Sequence, residues 1–182
     1  MPLRAAALPL LLLGVTGCSR LLTIEVEGES TATIDGGTIL EQLVGDLGFS
    51  SFLSMDITEE EELQNQGVEP GDLVRVELTA LTLEVVEGDP DLRFIDSLLV
   101  SAEAPALPTI AVAGADDFPE GEALVALDVI GVDLVDYATS TQMTLRTDAE
   151  ARRPDQTSRL VARYTREVEA TVRGAAKQAT GD

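Results

Sequence analysis

Histidine is absent from this 182-residue chain, cysteine occurs once, at Cys18, and lysine once, at Lys177. Without imidazole there is no Ser-His-Asp or Cys-His catalysis, no histidine-ligated metal and no histidine pH switch. A single thiol cannot form an intramolecular disulfide. Tryptophan is missing and aromatics make up 3% of the residues, so a core must be built mainly from Val, Leu, Ile and Ala. The same scarcity argues against sugar chemistry: two carboxylates suffice for glycoside hydrolysis, but sugar sites also want aromatic platforms. Positive charge is scarce as well. Twelve basic side chains face 33 acidic ones, a net charge of −21. Such a surface repels nucleic acid and anionic headgroups and keeps the chain soluble. No phosphate loop, G-x-S-x-G elbow, H-E-x-x-H pair or dinucleotide fingerprint is present.

What is present begins with a basic residue, Arg4, followed by an apolar run from Ala5 to Thr16 and then Gly17-Cys18. The run is shorter than the roughly 18 residues that span a bilayer. A positive start, a short apolar core and small residues before a cleavage point are the parts of a secretory signal. Val15-Thr16-Gly17-Cys18 resembles the lipobox of bacterial lipoproteins. The resemblance implies a signal peptide over 1–17, cleavage between Gly17 and Cys18, and acylation (palmitate) of Cys18 as the membrane anchor. Three joined acyl chains exceed the two signals that stable anchoring takes. Ser19, rather than Asp, follows the anchor, which by the same resemblance points to the outer membrane. Removing 1–17 takes Arg4 away and moves the net charge from −21 to −22.

Residues 18–173 are read as one β-sandwich domain and 174–182 as a flexible tail of small and polar residues. Leu22, Ile24 and Val26 alternate with Thr23, Glu25 and Glu27, which predicts a half-buried strand over Leu21 to Ile34. After the Asp35-Gly36-Gly37 turn, Ile39, Leu40, Leu43, Val44 and Leu47 recur at helical spacing and predict a short helix. Phe49, Phe52, Leu53 and Met55 are expected to plug one end of the core. Thr58 and Glu61 have capping-box spacing, so a second short helix is expected, ended by Gly67.

Leu73 to Glu87 is the most regular stretch. Val74, Val76 and Leu78 are apolar on one parity, Leu81, Leu83 and Val85 on the other. A phase change inside a strand predicts a bulge or a crossing between sheets. Leu92 to Ala104 is expected to be a strand buried on both faces, because Leu98-Leu99-Val100 run together. Thr109 to Ala113 and Leu124 to Ile130 are further strands, Asp133 caps one helical turn, and Thr141 to Arg146 is a short strand. Thr157 to Arg173 reads better as a long strand than as a helix, with one charge, Arg166, on its apolar parity.

The class is therefore mainly β: an antiparallel β-sandwich, Ig-like or related, with one to three short helices. Asn65-Gln66-Gly67-Val68, Leu92-Arg93-Phe94-Ile95-Asp96-Ser97 and Leu134-Val135-Asp136-Tyr137 resemble segments of a group of bacterial secreted and lipoprotein β-sandwich domains without assigned roles. That resemblance supports the fold and implies no activity.

The reading of function is a lipid-anchored, non-enzymatic envelope protein that serves as a structural, assembly or binding module, with the membrane and an envelope protein as partners. No nucleic acid partner is expected. Calcium is the one cofactor the composition admits, since oxygen ligands suffice for it. Its candidate ligands are Asp89 and Asp91 in one turn and Asp116 and Asp117 in another, with Asp133 and Asp136 behind them. Asp in Gly/Pro turns also serves local backbone groups. A calcium-dependent adhesin-like module and a carboxylate-based hydrolase are the alternatives. The first would need two of these loops at one end of the sandwich, the second a cleft where distant carboxylates converge.

Overall fold

The computed structural model describes residues 20–37, 42–45, 47, 49, 63, 65, 67–140 and 143–172. They form two packed antiparallel sheets. The strands are β1 (Arg20–Ile34), β2 (Gln42–Gly45), β3 (Leu73–Glu87), β4 (Ile95–Glu103), β5 (Ile110–Ala115), β6 (Leu124–Ala126), β7 (Asp128–Val129), β8 (Thr144–Arg152) and β9 (Ser158–Val172), with a short helix α1 (Val135–Ala138). One sheet has the order β1-β9-β3-β6 and the other β2-β8-β4-β5-β7. The pairs β1·β9, β2·β8, β3·β6 and β4·β5 are those of one long hairpin folded about the β4–β5 connection. Rolling that hairpin up brings β9 against β3 and β8 against β4, and the two sheets close. This is the double Greek key of a jelly roll, within the expected β-sandwich class.

β1 shows how directly alternation becomes burial. Val26, Ala32 and Ile34 are buried on one parity, while Glu25, Glu27 and Glu29 are exposed on the other. In β3 the phase change is a bulge. Leu78 pairs with Arg166 and Ala80 with Thr165, leaving Thr79 as the extra residue. Its hydroxyl donates to the Thr165 carbonyl at 3.2 Å. The bulge lets Val76 and Leu78 before it, and Leu81, Leu83 and Val85 after it, face the same core although their parities differ.

β9 is a strand over Ser158–Val172, pairing with β1 on one side and β3 on the other. Arg166 does point inward, at 2% exposure, and its guanidinium lies 5.3 Å from the Tyr164 ring centroid. The ring face gives part of the cation a favourable surface away from water.

Five expectations change. The short strand over Thr141 to Arg146 is instead β8, which starts at Thr144 and runs on to Arg152. The helix expected over Thr38 to Leu47 is overturned at Gln42–Gly45, which is β2 and pairs with Ala149 to Arg152 of β8; Thr38 to Glu41 lie outside the described residues. Apolar residues at helical spacing over so few residues also fit an extended strand, and the open edge of β8 supplies backbone partners that a two-turn helix would lack. Leu124 to Ile130 is not one strand. β6 belongs to the first sheet and β7 to the second. The chain crosses between them at the buried Leu127, whose N–H donates to the Leu81 carbonyl at 2.9 Å. β4 is buried on one face only: Leu98 and Val100 are inside, whereas Leu99 is 44% exposed. Asp133 is not the cap of α1, which is Leu134; its Oδ1 accepts from Val135 N–H at 3.0 Å in a local turn and from Val76 N–H of β3 at 3.1 Å, tying that turn to the sheet.

Leu63 and Asn65 are helical, and Val68 N–H donates to the Leu63 carbonyl at 3.1 Å across Gly67, whose φ is +67°. That bond closes a helix end of the Schellman kind. The start of this expected helix, Phe52, Leu53, Met55 and the tail from 173 lie outside the described residues. Phe49 is buried in the core.

Candidate docking surfaces

Two turns meet at one end of the sandwich, β3 to β4 and β8 to β9. Asp89 joins them, its N–H donating to Ser158 Oγ at 3.0 Å and its Oδ2 accepting from Asp155 N–H at 2.9 Å. Gly88 permits the approach. Its φ is +100°, and a Cβ there would run into Ser158 and the Thr157 carbonyl. Asp91, 4% exposed, accepts from Arg93 N–H at 3.3 Å and from Gly121 N–H at 2.8 Å. It thereby ties the turn to the acidic loop that follows β5.

Between these turns lies a cleft of about 280 Å³ lined by Asp89, Asp91, Arg93, Arg152, Arg153 and Asp155, among others. Its charges answer one another. Arg93 pairs with Glu120 at 2.8 Å and stands 3.6 Å from Asp91; Arg152 pairs with Asp96 at 3.2 Å and donates to the Arg93 carbonyl at 2.9 Å. The lining contains no Ser, Thr, Cys or Lys that could act as a nucleophile. The Asp89 and Asp91 contacts staple the loops together.

Of the candidate calcium ligands, Asp89 and Asp91 share this cleft and their carboxylates hold backbone N–H groups. Asp116 and Asp117 are exposed at the far side of the loop that Asp91 grips. Among the described residues no three acidic, histidine or cysteine side chains are gathered so as to hold a metal ion. Cys18 and Gly17 lie outside the described residues.

The outer face of the β1-β9-β3-β6 sheet is laced with ion pairs. Arg163 of β9 reaches Glu84 of β3 and lies 3.7 Å from Glu29 of β1, and Arg159 lies 3.6 Å from Glu87. The Glu84 hydrogen bond holds the Arg163 guanidinium above its ordinary pKa; burial opposes it, and the Glu84 and Glu29 charges add to it. The far edge of β1 has no partner strand among the described residues. An unpaired edge can receive another strand, and Glu25, Glu27 and Glu29 guard it against indiscriminate pairing.

The outer face of the other sheet differs. Leu99 of β4 stands opposite Asp148 of β8 on one side and Gly114 of β5 on the other, and Gly114 in turn faces Asp128 of β7. Gly114 leaves a gap in the row. Leu99 and Ile130 rise beside it at 44% and 52% exposure, and the resulting trench has a volume of about 430 Å³. Sequence reading missed this surface. Its only trace was the glycine near the end of the β5 segment, which marks a strand position where something approaches closely or is left open.

No known family model matches the chain, and no curated protein does. Among solved structures it is similar to a decameric capsid protein of BFDV, at 12% identity and a TM-score of 0.44, over 84% of this chain and 100% of that one. It is also similar to the acid-stable capsid of the Helicobacter pylori bacteriophage KHP30, at 13% identity and a TM-score of 0.35, over 84% and 100%. Tomato aspermy virus follows at 10% identity and 0.26, over 90% and 82%. At TM-scores under 0.5 these likenesses say nothing about activity or partner. No helix among the described residues is long and apolar enough to cross a membrane.

Proposed function

We propose that this protein is a lipid-anchored, non-enzymatic module of the bacterial envelope that works by docking another protein on its sandwich. The observation that carries the reading is the stretch Val15-Thr16-Gly17-Cys18, placed directly ahead of Arg20, where β1 begins. An acylated Cys18 would leave one residue before the first strand, a reach of about 7 Å from Cα to Cα. The sandwich would then stand on the membrane rather than at the end of a long leash. Ser19 favours the outer membrane.

Two facts support docking over catalysis. The chain has no histidine, and the charged groups of its end cleft are engaged with one another and with backbone N–H groups.

The test is radiolabelled palmitate fed to cells making the native chain or Cys18→Ser, followed by fractionation. The native protein is expected to take up label and sediment with membranes. The variant should lose the label and leave the membrane fraction or stay unprocessed. Equal sedimentation and an unchanged mature mass in the variant would overturn the anchor.

A further inference from the structure

The trench on the β2-β8-β4-β5-β7 sheet has apolar walls, a backbone floor and an acidic rim. Its row runs Asp148, Leu99, Gly114, Asp128 across four adjacent strands. Neighbouring strands lie about 4.8 Å apart, so removing the middle side chain parts Leu99 from Asp128 by about 10 Å. That width admits one extended chain or a pair of aliphatic side chains. Ile130 continues the wall, held in place by its N–H bond to the Val112 carbonyl at 2.9 Å. Asp116 completes the rim, and Glu150 of β8 stands one outward position beyond Asp148, opposite Ser97. Asp116, Asp128, Asp148 and Glu150 make no ion pair among the described residues, whereas the glutamates of the opposite sheet's outer face at Glu29, Glu84 and Glu87 do.

We propose that this trench binds an extended segment of a partner protein that is both cationic and apolar, seating aliphatic side chains over Gly114 between Leu99 and Ile130 and setting Lys or Arg heads against Asp116, Asp128 and Asp148. Charge complementarity selects that occupant. A second copy of this chain would bring a net charge of −21 toward an acidic rim. Long basic side chains suit the site in both halves, with apolar stems for the walls and charged heads for the rim. The proposal rests on the reading of the protein as a docking module but not on its acylation.

The experiment uses the mature protein, purified in neutral detergent, and a fluorescent acetyl-Lys-Leu-Lys-Val-Lys-amide peptide followed by anisotropy. Two control peptides carry Glu in place of Lys, or Gly in place of Leu and Val. Binding of the first peptide is expected to weaken about tenfold with Leu99→Ser, because half-exposed walls give up the rest of their apolar area on binding. Gly114→Val, which fills the floor, should weaken it similarly. Asp116→Asn with Asp128→Asn should weaken it several-fold at low salt and flatten its salt dependence. Leu99→Ser alters an exposed side chain, so it reports on the trench even if Gly114→Val folds poorly.

Equal binding of the Lys/Gly peptide, or insensitivity to Leu99→Ser, would reduce the effect to general attraction and overturn the proposal. So would self-association of the protein that Leu99→Ser abolishes. Because the assay reads binding whether or not Cys18 is acylated, failure of the anchor and failure of the trench are separate results.

Discussion

Gly28 in β1 and Gly114 in β5 each remove a side chain from a paired strand, and the two sheets treat the gap in opposite ways. At Gly28 the cross-strand partner Tyr164 fills it: an added Cβ would land on the ring and its hydroxyl. An aromatic lying over a glycine on an edge strand restores packing that the glycine gave up. At Gly114 the nearest atoms to an added Cβ are the Leu98 carbonyl at 3.0 Å and Leu99 Cδ1 at 3.7 Å. Nothing crosses the gap, and a trench remains. A glycine in a strand is therefore a question about its neighbour: a large, reachable side chain turns it into packing, and a side chain that stands upright beside it leaves a surface.

Four measurements sharpen or break that comparison, all by urea denaturation with the native chain as reference. Leu83→Ala sets the scale. Leu83 is 1% exposed in the core common to both sheets, and its loss should cost about 2–5 kcal/mol. Gly28→Val comes next at about 1–3 kcal/mol, because the ring must leave its place or the strands must part. Gly114→Val should cost less, about 1 kcal/mol, since a β-branched residue suits a strand and only the Leu98 carbonyl, 3.0 Å from the added Cβ, has to give. If it costs as much as Gly28→Val, the two glycines are equivalent and the comparison is lost. Arg163→Gln is the smallest. It removes the exposed pairs to Glu29 and Glu84, and its effect should fade as salt rises from low to molar concentration. An effect that persists in high salt would mean that the ladder on that sheet is packing rather than charge.

Much of the fold was legible in the residues because alternation and burial are the same fact in a sandwich. β1 could be read from its Glu/apolar alternation, the β3 bulge from the shift between Leu78 and Leu81, and β9 from its parity in spite of Arg166. The failures share a cause. β2, the split of Leu124 to Ile130 and the exposure of Leu99 depend on which segment lies alongside, and that is decided by pairing across the whole chain. Ile39 to Leu47 has enough apolar residues for either period, and pairing with β8 decided it at Gln42–Gly45. Of the N–H partners of Asp89 and Asp91, spacing could supply only Arg93, two residues beyond Asp91; Asp155 and Gly121 come from distant segments. The trench was least legible, since it is defined by a missing side chain flanked by residues from three other strands.

The rolled-up hairpin also sets an order of events in time. Leu98 and Ala115 are close along the chain, whereas Arg20 must find Val172. Loop closure favours the near pair, so β4·β5 should form first and the pairing propagate outward, with β1·β9 last. β1 is thus among the first strands synthesised and the last to be paired, waiting until the segment beside it exists. Pulse-labelled hydrogen exchange during refolding should find β4 and β5 amides protected before those of β1, and the reverse order would refute this. During that wait β1 is an open edge with Val26, Ala32 and Ile34 uncovered. Glu25, Glu27 and Glu29, which look decorative on the finished sheet, keep the waiting strand from pairing with a second unfolded copy.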